Sequence, residues 1–205
     1  MPISETTIAN RALDLVGAAA ITDLASDKSP EAKICQRNFE LTRDATYRSY
    51  AWNSCLRRAR LIKNPVAPAW GYATQFVLPS GADEPSGLYC LRVLEINGER
   101  RLGVRYSIEG RNILTNEGDP LDIRYIARVT AYPNLDPMLA EAVAARLSLV
   151  ISPKLTESAP RFRTLQDYYI QLVREARSVD AQEGSPTDFG PDPAIEIRGW
   201  LESRF

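Results

Sequence analysis

Apolar positions recur at two different spacings along the chain, and the change from one to the other divides it. Over residues 4–16, Ile8, Ala12, Leu15 and Val16 fall on one side of a 3.6-residue repeat, which predicts a helix. Ser4 is placed to cap it, Glu5 suits the positive end of its dipole, and Gly17 stops it. A short apolar connector follows, with Ile21 and Leu24 turned inward. Ser29-Pro30-Glu31 is a second start: a cap, proline at the first position, then an acid. This helix is expected to run to about Tyr50. Ala32, Cys35, Phe39, Thr42 and Thr46 lie along one side, and Ile34, Leu41 and Ala45 widen the stripe enough for more than one neighbour.

Past Trp52 the long repeat gives way to short extended runs. They are Cys55 to Ile62, Thr74 to Leu78, Leu88 to Ile96, Arg101 to Ile108, Asn112 to Thr115 and Leu121 to Val129. Pro65, Pro68 and Gly71 punctuate the first gap. Asn97-Gly98 is a hairpin signal, because both residues tolerate positive φ. Glu109-Gly110 and Glu117-Gly118-Asp119-Pro120 are further turns. Consecutive strands with tight turns imply an antiparallel meander.

The helical repeat returns at Asp136-Pro137, with Leu139, Val143, Leu147 and Val150 on one face and Ser152-Pro153 as the expected end. A last helix spans Ser158 to about Asp180, with Leu165, Tyr168, Tyr169, Leu172, Val173 and Ala176 as its apolar side. From Gly184, the residues Gly184, Pro186, Gly190, Pro191 and Pro193 read as an extended arm. It ends in Ile195, Ile197, Trp200, Leu201 and Phe205, which a purely solvated tail would not carry. The expected fold class is α+β: a bundle of four main helices with an inserted antiparallel β-meander and an extended C-terminal arm. The bundle takes 1–53 and 132–183, a projecting β domain takes 54–131, and the arm takes 184–205.

Composition narrows the function. The 205 residues are 44% hydrophobic and 25% charged, as in ordinary globular chains, and 25 basic side chains against 26 acidic leave a net charge of -1. That balance argues against a generic nucleic-acid binder. Histidine is absent, which removes Ser-His-Asp and Cys-His catalysis, His-ligated zinc and the His-carboxylate iron triad. Cys35, Cys55 and Cys90 suit neither a zinc cluster nor a closed disulfide framework, and read as free thiols from a reducing compartment. No membrane span and no secretory signal are expected. Arginine occurs 21 times and lysine four times, and arginine's planar fork favours interfaces over mere solubility.

Candidate chemistry is sparse. No phosphate-cradling glycine loop is present: Gly81 and Gly87 precede no helix start. Asp83-Glu84, and Glu117 with Asp119, are the carboxylates a histidine-free glycosidase could use, or simply polar turn residues. Arg57, Arg58 and Arg60, with Lys63 close by and Trp52 and Trp70 on either side, are a candidate contact to nucleic acid or to another subunit. In a strand, Arg57 points away from Arg58 and Arg60, which equally suits edge charges that deter sheet pairing. Tyr168 and Tyr169 read as core or helix interface. Ile195, Ile197, Trp200, Leu201 and Phe205 are the candidate partner anchors.

These residues, in this order, resemble the tail tubular protein A, or head-to-tail adaptor, family of short-tailed bacteriophages. Ala9-Asn10-Arg11-Ala12-Leu13 with Leu15 and Gly17, then Ile21 and Leu24, is similar to the family's opening. Glu31 to Leu61, with Ala51-Trp52-Asn53, resembles its long helix and the turn after it. Leu78-Pro79, Leu91-Arg92-Val93-Leu94, Tyr106 to Thr115 and Leu121 to Ile126 resemble its strands, and Asp136 to Leu155 its third helix. The loop Ser80 to Ser86 is longer than the family's, Asn53-Ser54 departs from its Phe-Ala, and the similarity covers roughly residues 4 to 183. The resemblance implies a twelve-fold ring of subunits in the virion, made in the host cytoplasm. The ring would sit between the portal protein and the tail nozzle protein, and its lumen would pass DNA without reading sequence. It implies no catalytic group, cofactor or metal. A cell-wall or capsule glycosidase and a basic-patch DNA-binding module stand as alternatives.

Overall fold

The computed structural model describes residues 2–81, 88–100, 103–156 and 158–183. It is an α+β structure of four helices and two antiparallel sheets. Helix α1 is Glu5–Val16. The Ser4 hydroxyl accepts from Thr7 N–H at 3.1 Å, the Thr7 hydroxyl accepts from Ser4 N–H at 2.8 Å, and Gly17 closes the helix at φ 79°. Helix α2 is Pro30–Ser49, capped by Ser29. The side of α2 expected to be buried is buried at Ala32, Cys35, Phe39, Thr42 and Thr46, but Leu41 is 78% exposed. Ile34 packs against the core and Ala45 is half-buried, as expected, and the stripe widens further through Arg43 and Tyr47.

Helix α3, Pro137–Leu155, is the centre of the helical layer and packs on α1, α2 and α4 (Ala159–Gln182). Its buried residues lie all round it, as expected of a helix surrounded by others. Ala140, Ala142, Ala144, Ala145, Ser148 and Ser152 are small enough for neighbours to come close. Two expectations are corrected here. Val150 faces outward while Ile151 is buried, because four-residue steps from Val143 through Leu147 lead to 151. The helix also passes through Pro153 to Leu155: with the proline this near its end, the Thr156 N–H still donates to the Ser152 carbonyl at 2.8 Å and Leu155 packs on the helical core.

Seven strands lie between α2 and α3. They are β1 Leu56–Leu61, β2 Thr74–Val77, β3 Cys90–Ile96, β4 Glu99–Arg100, β5 Tyr106–Glu109, β6 Asn112–Thr115 and β7 Leu121–Ala127. One sheet has the order β1-β7-β3-β4 and the other β2-β6-β5, with every pairing antiparallel. This is not the expected meander. Only β3–β4 and β5–β6 are sequence neighbours, joined by the tight turns at Asn97-Gly98 (φ 51° and 76°) and Gly110. The other connections are too long to force adjacency. The strand entering from α2 therefore pairs with the strand leaving for α3, Leu56 opposite Ile126. The spacing of buried residues in β3 is three rather than two, because two bulges interrupt its register with β7.

Two apolar clusters result. Phe76, Ile113, Leu121, Ile123 and Tyr125 fill the space between the sheets. The helical cluster contains Leu13, Phe39, Trp52 and Leu147, and runs on into one face of the larger sheet through Ile126, Leu56, Leu91 and Leu94. The β strands thus lie against α2 along part of one face. Trp52 is fully buried, and its indole N–H donates to the Thr46 carbonyl at 3.1 Å.

A buried ionic chain crosses the helical layer. Arg43 is 2% exposed, and its guanidinium donates to the Tyr132 hydroxyl at 2.8 Å and to Asp44 Oδ1 at 3.0 Å. The Tyr132 hydroxyl donates in turn to Glu5 Oε1 at 2.6 Å. Asp44 Oδ2 accepts from Arg128, just past β7. Replacing Arg43 with leucine leaves the Tyr132 hydroxyl and Asp44 Oδ1 without their buried donor, while Asp44 Oδ2 keeps only Arg128. The Arg43→Leu chain is expected to lose about 3 kcal/mol in urea denaturation, as when one partner of a buried pair is removed. A loss below about 1 kcal/mol would show that the network does not hold the helices.

Candidate interaction surfaces

Arg57, Arg58 and Arg60 lie on β1, an outer strand of the larger sheet. Among the described residues no strand pairs with its outward edge. Strand alternation separates them as the sequence implies: Arg57 turns back to donate to the carbonyls of Ser54 and Leu56, while Arg58 and Arg60 line an open hollow on the other face. That hollow, about 360 Å3, also has Glu95, Asp122, Arg124 and Gly98 in its wall. Arg60 grips Asp122 bidentately at 2.7 and 2.9 Å, and this holds the Asp122 carboxyl below its ordinary range. Both side chains are exposed, so the pair contributes little stability. Arg124 reaches Glu95 at 3.2 Å in a more sheltered pair. Arg58 stands directly opposite Arg124 in the register and has no ionic partner among the described residues.

The two tryptophans do not flank this cluster as a stacking pair. Trp52 belongs to the core, in edge contact with Tyr50, over whose ring the Arg177 guanidinium lies at 5.1 Å. Trp70 is 85% exposed on the loop after β1, which also exposes Ile62 and Val66. Tyr168 and Tyr169 are half-buried, and Tyr168 lines a second open hollow, about 500 Å3, with Leu15, Arg161 and Leu165 between α1 and α4.

Of the carboxylates considered for a glycosidase, Glu117 and Asp119 lie among the described residues. Asp119 accepts from the Lys63 N–H at 2.9 Å and Glu117 from the Asn97 side chain at 3.0 Å, which are turn-fixing roles. Asp83 and Glu84 lie outside the described residues, as do the arm residues Ile195, Ile197, Trp200, Leu201 and Phe205. Cys35, Cys55 and Cys90 are free and buried, and burial pushes their thiols up to about 11, 12 and 11. They are poor nucleophiles and poor ligands in that state. Among the described residues no group of acids and cysteines could hold a metal, and no helix is long and apolar enough to cross a membrane.

Two arrangements escaped the sequence. The Tyr89 ring lies between the guanidinia of Arg111 and Arg128, 4.1 and 4.3 Å from its centre. Arg111 also donates to the carbonyls of Pro79 and Cys90. Nothing in the spacing of residues 89, 111 and 128 signals that they meet. The second is Asp180, on the last turn of α4 and 5% exposed. Its Oδ1 accepts from the Asn53 N–H at 3.0 Å, and its backbone carbonyl accepts from the Asn53 side chain at 2.6 Å. This fastens the root of the arm beside the start of β1.

Burial pushes the Asp180 carboxyl up to about 6; the Asn53 N–H opposes this, and Glu183 and Asp136 add to it. The folded chain therefore holds this proton more tightly than the unfolded chain, whose carboxyl titrates near 3.8. The stability this gives is complete below the unfolded value and is lost as pH rises through about 6. Asp180→Asn keeps an acceptor for Asn53 and cannot ionise. Denaturation at pH 8 is expected to find it more stable than the parent by roughly 2 kcal/mol, with the difference gone near pH 4. A variant that tracks the parent at both pH values would refute the assignment. No family model matches the chain, and no curated protein matches it in sequence.

Proposed function

We propose that this chain is a structural head-to-tail adaptor of the tail tubular protein A kind, one subunit of a ring joining the portal to the tail nozzle of a short-tailed phage. The observation that carries the reading is the order of its parts. Two helices, a set of antiparallel strands and two more helices follow one another, with α3 surrounded by the other three. The resemblance implies the same order over residues 4–183. In this reading the helices of 1–53 and 132–183 form a bundle that meets the portal and neighbouring subunits. The strands of 54–131 face the nozzle, and the arm of 184–205 docks through Ile195, Ile197, Trp200, Leu201 and Phe205.

Surface chemistry supports protein contact over catalysis. Trp70, Ile62 and Val66 crowd one exposed loop, as protein-contact patches do. The near-neutral charge suits a lumen that passes DNA without gripping it, since each neutralised phosphate adds affinity and slows transit. Much of the arginine excess is held in internal pairs, including Arg11 with Glu141, Arg60 with Asp122 and Arg124 with Glu95, and is not displayed as a phosphate-binding stripe.

Native mass spectrometry of the chain mixed with the portal encoded beside it is expected to give a discrete portal-plus-ring mass, from which the subunit count follows. Deleting 194–205 removes two aromatic anchors, Trp200 and Phe205, and is expected to weaken portal binding by about tenfold or more. A portal that captures no ring, or a truncated chain that binds with unchanged affinity, would count against the adaptor and the arm respectively.

A further inference from the structure

We propose that the arm of one copy adds as a strand to the outer edge of β1 in the next copy, with Glu196 seated in the arginine hollow. The proposal rests on the ring reading and names the seat that reading leaves open. The first support is charge. Among the described residues the wall of the hollow holds Arg58, Arg60 and Arg124 with Glu95 and Asp122, and of these Arg58 has no ionic partner. Arg58 and Arg124 are cross-strand partners, and like charges directly opposite each other are destabilising. A carboxylate between the two guanidinia removes that repulsion and accepts from two planar forks. Arg58 alone fits a single side-chain carboxylate, whereas a nucleic-acid backbone would meet Glu95 and Asp122 as repulsion.

Alternation is the second support. In an extended segment Ile195 and Ile197 point to one face and Glu196 to the other. On β1 the side chains that alternate with Arg58 and Arg60 are Arg57, Ala59 and Leu61; Leu61 belongs to the apolar cluster between the sheets and Ala59 packs against it. Added beside β1, the segment lays its two isoleucines along that cluster and its glutamate towards Arg58. Among the described residues β1 itself pairs with β7 alone, and the chain bridges β2 only past its end, at Lys63 and Phe76; the exposed arginines of β1 deter pairing with an apolar strand while favouring an acidic one.

Reach is the third. Asp180 holds the root of the arm beside Asn53, next to the first residue of β1. A spacer of the composition of 184–193, with three prolines and two glycines, spans about 30 Å, whereas six residues of strand span roughly 20 Å. A spacer of that length is long enough to bring Glu196 to the β1 edge of a neighbouring copy. An arm on a neighbour's edge is a head-to-tail contact, the kind that closes into a ring.

The test places photoreactive benzoylphenylalanine at position 197 of the full-length chain and irradiates a mixture of 14N and 15N copies with the portal. Expected are mixed-isotope cross-links landing on residues 56–61. Arg58→Glu alone or Glu196→Arg alone is expected to cut their yield about tenfold. Mixing R58E copies with E196R copies restores it, because every contact can then pair opposite charges. Arg58→Ala, which only removes the side chain, gives a smaller loss and guards against misfolding of the glutamate variant. Cross-links confined to one isotope, cross-links elsewhere on the chain, or a mixture that fails to recover would each overturn the proposal. A portal-bound ring without these cross-links removes the seat and leaves the adaptor standing. Cross-links at β1 without a ring on the portal keep the seat and remove the adaptor.

Discussion

Arg43 sits inside the helical layer with its charge intact, and the groups around it fix how α1, α2 and the chain leaving β7 meet. Its guanidinium has partners on three segments: Asp44 beside it on α2, Tyr132 on the connector into α3, and Glu5 of α1 at 3.8 Å and through the Tyr132 hydroxyl. Asp44 passes the connection to Arg128. A charge this deeply buried is tolerable only when its donors are satisfied, so the three segments have one good arrangement and many bad ones. Leucine in its place could fill the volume but would not set the direction in which α1 and the β7 exit approach. The close packing of α3 against α1 and α2 and the pairing of β1 with β7 both require those segments to arrive as they do.

Arginine serves the same purpose elsewhere. Arg48 donates to the Leu91 carbonyl, Arg111 to those of Pro79 and Cys90, and Arg161 to that of Leu15. In each case the side chain joins elements far apart in sequence, using several donors in a fixed plane. Lysine, a single point charge on a flexible stem, could not bridge two carbonyls and stack on Tyr89 at once. Part of the arginine content that first suggested an interface therefore ties the chain's own elements together. Arg58 differs in facing another arginine, Arg124, directly across the sheet.

The helices were readable because their ends carry chemistry. Ser4, Ser29, Asp136 and Ser158 cap as their positions imply, and Pro30 and Pro137 stand just inside their helices. Most strands were readable to within a residue or two, but the run expected from Arg101 to Ile108 is, among the described residues, a strand only from Tyr106, and the short β4, Glu99–Arg100, lies before it. Sheet order was not, because β1 and β7 meet through Leu56 and Ile126, and nothing local records that distance. The burial of Arg43 and Asp180 was hidden for a related reason: a charged residue on a helix reads as solvent-facing until its partners on other elements are known. The arginine cluster was visible as a run, and alternation separated Arg57 from Arg58 and Arg60. The facing of Arg58 by Arg124 needed the register.

The clamp on Tyr89 has a consequence for how the chain tolerates change. Pro79 and Cys90 are fastened to each other directly, the Cys90 N–H donating to the Pro79 carbonyl at 2.9 Å, and Arg111 spans both. The Arg128 N–H donates to the Tyr89 carbonyl at 2.8 Å, and a Cβ on Gly81 would come within 3.1 Å of the Tyr89 nitrogen. Whatever chain runs between these fastenings begins and ends at the same two points. Its length enters the stability of the fold only through the entropy of closing a loop, which grows by about 0.6 kcal/mol for each doubling. Changes of length between these fastenings are therefore tolerated. The same stretch is where an epitope or a small folded insert could be spliced in while both sheets keep their register.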